Sequence, residues 1–457
     1  MRFKGTSVLL LVFVVLGAFV YFTEFRGKEE KAKQEEAKKR LFPGEAKDIS
    51  ELTLEYEGRT VTAVRKGEKT WEITTPAGLE TDSEAWEQMA SSFVLIEKDE
   101  TVNNQKTDLA PYGLDKPVAR VTAKLKTGSS QSVLFGAENP KKTFNYAKLG
   151  DKDEVFLSAT SWSGNFKKSL TDLRDKKVLG FETDNVDLVR ISATGKPDIE
   201  IQKSGMDWLI KKPVETRADS GEVSGFLSSI QFTRTPAFAR DDIDAKATGL
   251  DAPAARITIH DKKANADKVL LFGKSPEKDK YFAKDSSRTP IFILGTEIYQ
   301  KTQQALFGWR DKSVVRLENS GSGVDEWEIL RGSEKIILKK AGMDWLLPDG
   351  KKTQPGKVSD MLGALDSERA TEIIDTPAGL GSYGLDKPRL TVTLRQGGKD
   401  VESVKFGRDN SSPAGVYAKT SAVPVLTVGK ELYDRLNVKM SDLVETQPSP
   451  ATPAKQP

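Results

Sequence analysis

The 457-residue chain has no cysteine and one histidine, His260. Disulfide scaffolds, thiolate zinc sites, iron–sulfur clusters, cysteine nucleophiles and His-rich metal centres are thereby excluded. So is nearly every catalytic triad that relies on a histidine base, unless His260 supplies it. An excess of one charge is also missing. Seventy Lys and Arg face 67 Asp and Glu, a net charge of +3, which leaves no nucleic-acid footprint. Apolar residues make up 37% and charged residues 30%, the balance of a well-charged soluble chain rather than a polytopic membrane protein. No Walker motif, Gly-x-Ser-x-Gly, His-Glu-x-x-His or calcium loop occurs, so no cofactor or metal is expected.

Against this background stands one hydrophobic run. Met1-Arg2-Phe3-Lys4 precedes residues 6–25, and the stretch from Val8 to Phe22 carries no charge. Such a run, as a helix of about 20 residues, matches the roughly 30 Å of a bilayer core. Its end, Gly17-Ala18-Phe19-Val20-Tyr21-Phe22, has bulky side chains where a cleavage site needs small ones, so a retained anchor is expected rather than a cleaved signal. Tyr21, Phe22 and Phe25 suit the interface. Large carboxy-terminal domains translocate largely regardless of nearby charge, so residues 1–26 read as a short cytoplasmic tail and a single-pass anchor, with the rest outside the membrane. Residues 27–45 read as a charged stalk. Glu29 and Lys33, and Glu35 and Lys39, are helix-stabilising pairs, and Leu41-Phe42-Pro43-Gly44 ends the segment. Residues 445–457, rich in Pro, Thr and Gln, are expected to be disordered.

Between these ends one pattern occurs three times. Tyr112-Gly-Leu-Asp-Lys-Pro117 returns as Thr248-Gly-Leu-Asp-Ala-Pro253 and as Tyr383-Gly-Leu-Asp-Lys-Pro388. Trp71, Trp208 and Trp345 keep the same period. So do Phe135-Gly136, Phe272-Gly273 and Phe406-Gly407, followed by Tyr146, Phe282 and Tyr417, each before Ala-Lys. A period of this kind marks an array of like units. The copies are placed at residues 46–179, 180–315 and 316–444.

Within a copy, short alternating segments predict a β-meander with the Trp packed in the core. A proline (Pro76, Pro213, Pro348) then breaks the strand before a helix. Its apolar face is Trp86, Met89, Phe93 and Ile96, or Val223, Phe226, Leu227 and Ile230, or Val358, Met361, Leu362 and Leu365. Asp219 with Glu222 reads as a capping box, and Pro355 as a first-turn proline. After the Gly-Leu-Asp-x-Pro turn come more antiparallel strands and a helix over residues 159–170. The predicted fold class is α+β: three tandem, mostly antiparallel β-meander domains with about two helices each, after one transmembrane helix.

Three groups of residues invite a functional reading. Asp115, Asp251 and Asp386 of the repeated turn are better explained as turn formers than as ligands, since all three copies keep them. His260 falls in register with Lys124 and Arg395, a solvent-facing basic position. Ser320-Gly-Ser-Gly323 reads as a loop insertion in a hairpin that is longer only in the third copy. Carboxylate pairs can run glycoside hydrolysis without histidine, but three similar copies favour a binding array over a single active site. The sharpest asymmetry lies at the copy ends. Leu173-Arg-Asp-Lys-Lys-Val178 and Trp309-Arg-Asp-Lys-Ser-Val314 precede another copy, whereas Lys439-Met-Ser-Asp-Leu-Val444 keeps an Asp and loses the Arg and Lys. Arg174, Asp175, Lys176, Arg310, Asp311 and Lys312 are therefore expected to set the joint to the next copy through charged hydrogen bonds.

The anchor, the Trp before a Pro, the Tyr-Gly-Leu-Asp-x-Pro turn, the Phe-Gly and Tyr-Ala-Lys hairpin and the Leu-Arg-Asp-Lys junction together resemble a bacterial family, domain of unknown function 4340, in three copies over about residues 46–444. The resemblance implies no catalytic residues. It implies proximity to ABC transporter permeases and to an auxiliary subunit of the gliding-motility type. The expected function is thus a non-catalytic accessory or scaffold, anchored in the bacterial inner membrane with its repeats on the periplasmic side. It would contact the bilayer through residues 6–25 and a permease or auxiliary subunit through its repeats. An envelope glycan-binding module is the alternative, and a carboxylate-based hydrolase a more distant one.

Overall fold

The computed structural model describes residues 39–105, 108–240, 242–354, 356–421 and 425–444. The expected anchor, most of the stalk, Pro355 and the tail from Glu445 lie outside them. Among the described residues no helix is long and apolar enough to cross a membrane.

The structure is α+β, with three antiparallel sheets, one per copy. The first copy comprises β1 (Ile49–Tyr56), β2 (Arg59–Arg65), β3 (Trp71–Thr75), α1 (Ser83–Val94), β4 (Thr101–Asn103), β5 (Ala119–Leu125), β6 (Ser130–Glu138), β7 (Phe144–Leu149), β8 (Val155–Ala159), α2 (Thr160–Gly164) and α3 (Leu170–Leu173). Its strands lie in the order β3-β2-β1-β5-β6-β7-β8-β4. Period-two alternation turns Leu52, Leu54, Val61, Ala63, Val121 and Ala123 to one face, where all are buried. α1 carries the chain from β3 to β4 at the opposite edge and lays Trp86, Met89, Ala90 and Phe93 on that face. Asp82 caps it, accepting from the backbone of Glu84 and Ala85. The single helix expected over residues 159–170 is broken, because Ser169 and Asp172 form a new capping box that starts α3.

The second copy has β9 (Val186–Ala193), β10 (Ile199–Ser204), β11 (Asp207–Lys212), β12 (Thr216–Arg217), α4 (Ser220–Phe232), β13 (Ala237–Phe238), α5 (Ala245–Thr248), β14 (Ala255–Asp261), β15 (Ala266–Phe272), β16 (Lys280–Asp285), β17 (Phe292–Gly295), α6 (Glu297–Thr302) and α7 (Leu306–Trp309). The third has β18 (Glu326–Arg331), β19 (Glu334–Ala341), β20 (Asp344–Leu346), α8 (Lys357–Ser367), β21 (Glu372–Ile374), β22 (Leu390–Gln396), β23 (Lys399–Ser411), β24 (Ala414–Lys419), β25 (Val425–Val428) and α9 (Lys430–Leu436). Its sheet runs β20-β19-β18-β22-β23-β24-β25-β21, the order of the first copy. Ser320 to Gly323 fall at a 3-10 turn, Glu318–Gly321, ahead of β18, where the other copies have Ala46–Asp48 and Thr183–Asn185. The segment is therefore not a hairpin insertion.

By internal packing the described residues form two units. One holds the chain up to Gly180 with Gln231–Ala254 and Leu270–Thr296; the other holds Phe181–Ile230, Ala255–Val269 and the chain from Glu297. The first unit thus contains the whole first copy and the run β16-β17-β13, and the second unit the run β12-β11-β10-β9-β14 and the whole third copy.

The repeated sequence markers fit one another. Gly113, Gly249 and Gly384 adopt φ of +64°, +70° and +68°, which a side chain rarely takes. Gly136, Gly273 and Gly407 of the Phe-Gly pairs lie so close to this turn that a Cβ would sit 2.2, 2.1 and 2.0 Å from the carbonyl oxygens of Tyr112, Thr248 and Tyr383. The ring of Tyr112 meets Tyr146 edge-on at 5.1 Å, and Tyr383 meets Tyr417 at 5.0 Å. Leu114, Leu250 and Leu385 are buried, while Asp115, Asp251 and Asp386 stay exposed. The turn and the hairpin are two halves of one contact.

Residues 39–42 differ from a free stalk. Phe42 is buried and stacks on Phe93 with ring centroids 4.3 Å apart, and Leu41 packs beside it in the first copy's core.

Candidate functional site

The six expected joint residues are placed in two stretches of extended chain. Arg174 pairs with Thr81 and Arg310 with Ala218, each alongside the segment that leads into the main helix of its own copy. The same stretches then turn to the following copy. Lys177 pairs with Arg234 and Ser313 with Arg369, just after α4 and α8. The backbone of Thr235 donates to the Lys176 carbonyl at 2.9 Å, and that of Ala370 to the Lys312 carbonyl at 2.7 Å. One strand is therefore held by two copies, through backbone bonds that sequence reasoning did not foresee.

The side chains divide the work unequally. Arg310 is 4% exposed, and its Nη1 donates to both carboxylate oxygens of Asp375 at 2.8 Å. Arg174, 5% exposed, lies over the ring of Phe238 with its guanidinium carbon 3.9 Å from the centroid. Both arginines thus reach the next copy, one as a charge-assisted pair and one stacked on an aromatic face. Asp175 and Asp311 do something local first. Each carboxylate accepts from the backbone two residues on, Lys177 and Ser313, at 2.9 Å, which turns the strand toward the next copy. Asp175 also accepts from Arg288 of the second copy at 3.1 Å, whereas Asp311 makes no such second bond among the described residues. The ammonium groups of Lys176 and Lys312 fold back on their own copies, toward Asp172 and toward the carbonyls of Gly308 and Arg310. The expectation that all six side chains bridge the joint is corrected on this point: the lysines contribute their carbonyls, not their charges. The reason is local: the Asp172 carboxylate, four residues before Lys176, and the carbonyls of Gly308 and Arg310, just before Lys312, stand within reach of the two ammonium groups.

Arg288 was missed by sequence reasoning. It stands in the turn after β16 and also bonds Glu80 and the carbonyls of Asp175 and Lys177. A lone arginine in the sequence Asp285-Ser-Ser-Arg288 carries no periodic signal. Asp375 was missed for the same reason.

The third copy ends in a different residue at the arginine position. Leu443 accepts from Gln354 as Leu173 accepts from Asp82 and Trp309 from Asp219, so Val444 occupies the arginine position. Val444 pairs with Thr353 accordingly. Asp442 is then not the retained joint aspartate. It caps the backbone of Lys439 at 2.9 Å, as Asp172 caps that of Ser169 at 3.1 Å. Burial pushes the Asp172 carboxyl up, but the Ser169 hydroxyl and amide and the Lys176 ammonium outweigh it and hold the group below the usual carboxylate range.

Other candidates resolve as structure. His260 bonds Asp267 through Nδ1 at 2.8 Å on the partly exposed face of β14. Arg395, in the equivalent place, pairs with Glu326 and Glu328. Asp219 accepts from Glu222 at 3.0 Å, but the Glu222 side chain turns to Lys301, which leaves half of the expected capping box. Trp71 and Trp208 are buried, and Trp345 packs partly buried against the third core. Among the described residues no group of three or more His, Asp or Glu is placed to hold a metal ion.

The family model described as a domain of unknown function, 4340, matches residues 71–239, 208–374 and 345–455. Each match begins at the marker tryptophan of a copy, and the first two run through a joint into the following copy. No curated protein and no solved structure matches the chain.

Proposed function

Since the chain belongs to the domain of unknown function 4340 family, in three tandem segments, we propose that it is a non-catalytic accessory scaffold, held on the outer side of a bacterial inner membrane by residues 6–25. Its repeats would contact an ABC transporter permease or auxiliary subunit. The observation that supports this most is the joint in the second unit, where the buried Arg310 is held by Asp375 of the following copy. Fixing one repeat against the next with a desolvated charge is of use to a protein whose surfaces must be presented in register, and of little use to three independent binding modules. The burial of Trp71 and Trp208 also removes two of the aromatic platforms that a glycan-binding array would present.

The test is co-purification of the full chain from membranes in mild detergent. The scaffold reading expects a permease or auxiliary subunit to accompany the wild-type chain and to be lost from Arg310→Ala at unchanged expression. A wild-type chain that brings down no transporter component but binds purified cell-wall glycan would replace this reading with the glycan-binding one.

A further inference from the structure

The slot that follows the main helix is filled in all three copies. In the second and third copies the slot holds residues 176–179 and 312–315. In the first it holds residues 39–42. Arg40 pairs with Glu97 as Lys177 pairs with Arg234 and Ser313 with Arg369. The Lys98 backbone donates to the Lys39 carbonyl at 2.9 Å, the counterpart of the Thr235 and Ala370 bonds. Leu41 donates to the Ile96 carbonyl at 2.9 Å, and Val314 to that of Glu368 at 3.3 Å. The occupants also share a pattern: Lys39-Arg-Leu-Phe42, Lys176-Lys-Val-Leu179 and Lys312-Ser-Val-Val315. Each gives a Lys carbonyl to the slot, and each ends in two apolar residues. Phe42, Val178, Leu179, Val314 and Val315 are all buried.

We propose that the slot is a strand-accepting site for extended peptides of the form Lys-x-apolar-apolar, and that residues 39–42 act as a third joint. Backbone bonds hold the strand and two apolar pockets choose it, the logic of β-strand addition. Residues 39–42 fill the first slot with the same backbone bonds that the copy ends make in the other two. The chain arriving from the amino-terminal side therefore enters the first copy as one copy enters the next. The consequence that the tether fixes the first copy's orientation rests on the anchored-scaffold reading; the slot itself does not.

The test uses the full chain in mild detergent, with hydrogen exchange at Lys98 as the reporter and at Thr235 and Ala370 as controls. The double variant Leu41→Asp, Phe42→Ala is expected to speed exchange at Lys98 by about tenfold or more and to leave both controls unchanged. A synthetic peptide of residues 36–46 should restore protection, and the same peptide with Phe42→Ala should not. Unchanged exchange at Lys98 in the variant, or failure of the wild-type peptide to restore it, would overturn the proposal. Alkaline carbonate extraction reports on the anchor separately. Release of the chain there would remove the tether reading while leaving the slot result standing.

Discussion

Arg310 and Asp375 stand 65 positions apart and meet at 2.8 Å, with the arginine side chain 5% and the aspartate side chain 30% exposed. Few features of the chain depend so directly on two copies being present at once. The pair sits beside the backbone bond from Ala370 to Lys312, so charge and strand pairing reinforce one another at this joint.

The joint in the first unit relies on a wetter group of charges. Arg288 lies between Glu80 and Asp175, whose side chains are about one-third exposed. Arg288→Ala is expected to cost about 1 kcal/mol at this joint, read as faster hydrogen exchange at Thr235. Raising salt to about 1 M, where screening acts over about 3 Å, should erase most of the difference between variant and wild type. Exchange at Ala370 should respond far less to the same salt.

The Phe-Gly markers predict a sharper effect. Alanine at Gly136, Gly273 or Gly407 would place a carbon about 2 Å from a backbone oxygen, a distance that forces turn and hairpin apart. Each substitution is expected to destabilise its copy by about 2–4 kcal/mol. Alanine at Asp115, Asp251 or Asp386 should change stability by less than about 1 kcal/mol. Urea unfolding of the six variants, followed by tryptophan fluorescence, checks the contrast.

Acid should loosen the end of the first copy in a defined window. The Asp172 carboxyl is held below its ordinary value of about 3.9 in the folded chain. It therefore contributes stability that is fully present above about pH 4 and is lost as pH falls through the lowered value. Asp172→Asn should flatten this dependence at α3. Hydrogen exchange of the peptide spanning residues 169–175, measured between about pH 3 and 6 after correction for the intrinsic rate, gives the comparison.

How far the sequence carried this picture depends on the kind of signal. The strands of the first copy were legible because Leu52, Leu54, Val121 and Ala123 alternate with polar residues, and α1 because Trp86, Met89 and Phe93 recur at helical spacing. The matched order of Gly-Leu-Asp and Phe-Gly markers disclosed the repeats, although not that the two motifs touch. Arg174 and Arg310 stood out because the third copy lacks them. Their partners did not, since Phe238, Arg288 and Asp375 lie in short strands and turns whose pairing is set only by the tertiary fold. The same holds for residues 39–42. As sequence they close a charged stalk, yet the pocket beside Phe93 gives Phe42 a buried place that no local periodicity announces. Asp442 shows the opposite error, a matching letter in a non-equivalent position, corrected only by the hydrogen bond from Gln354 to Leu443.

The central claim is that the copies are coupled through the joint rather than merely strung together, and a double-mutant cycle on Arg310 and Asp375 tests it most directly. Arg310→Ala, Asp375→Ala and the double variant would be prepared in the full chain, with hydrogen exchange at Ala370 as the readout. A coupling energy of about 2 kcal/mol is expected, so that the double variant loses much less protection than the two single losses added together. Strict additivity, with exchange at Ala370 indifferent to whether the partner is present, would contradict the account.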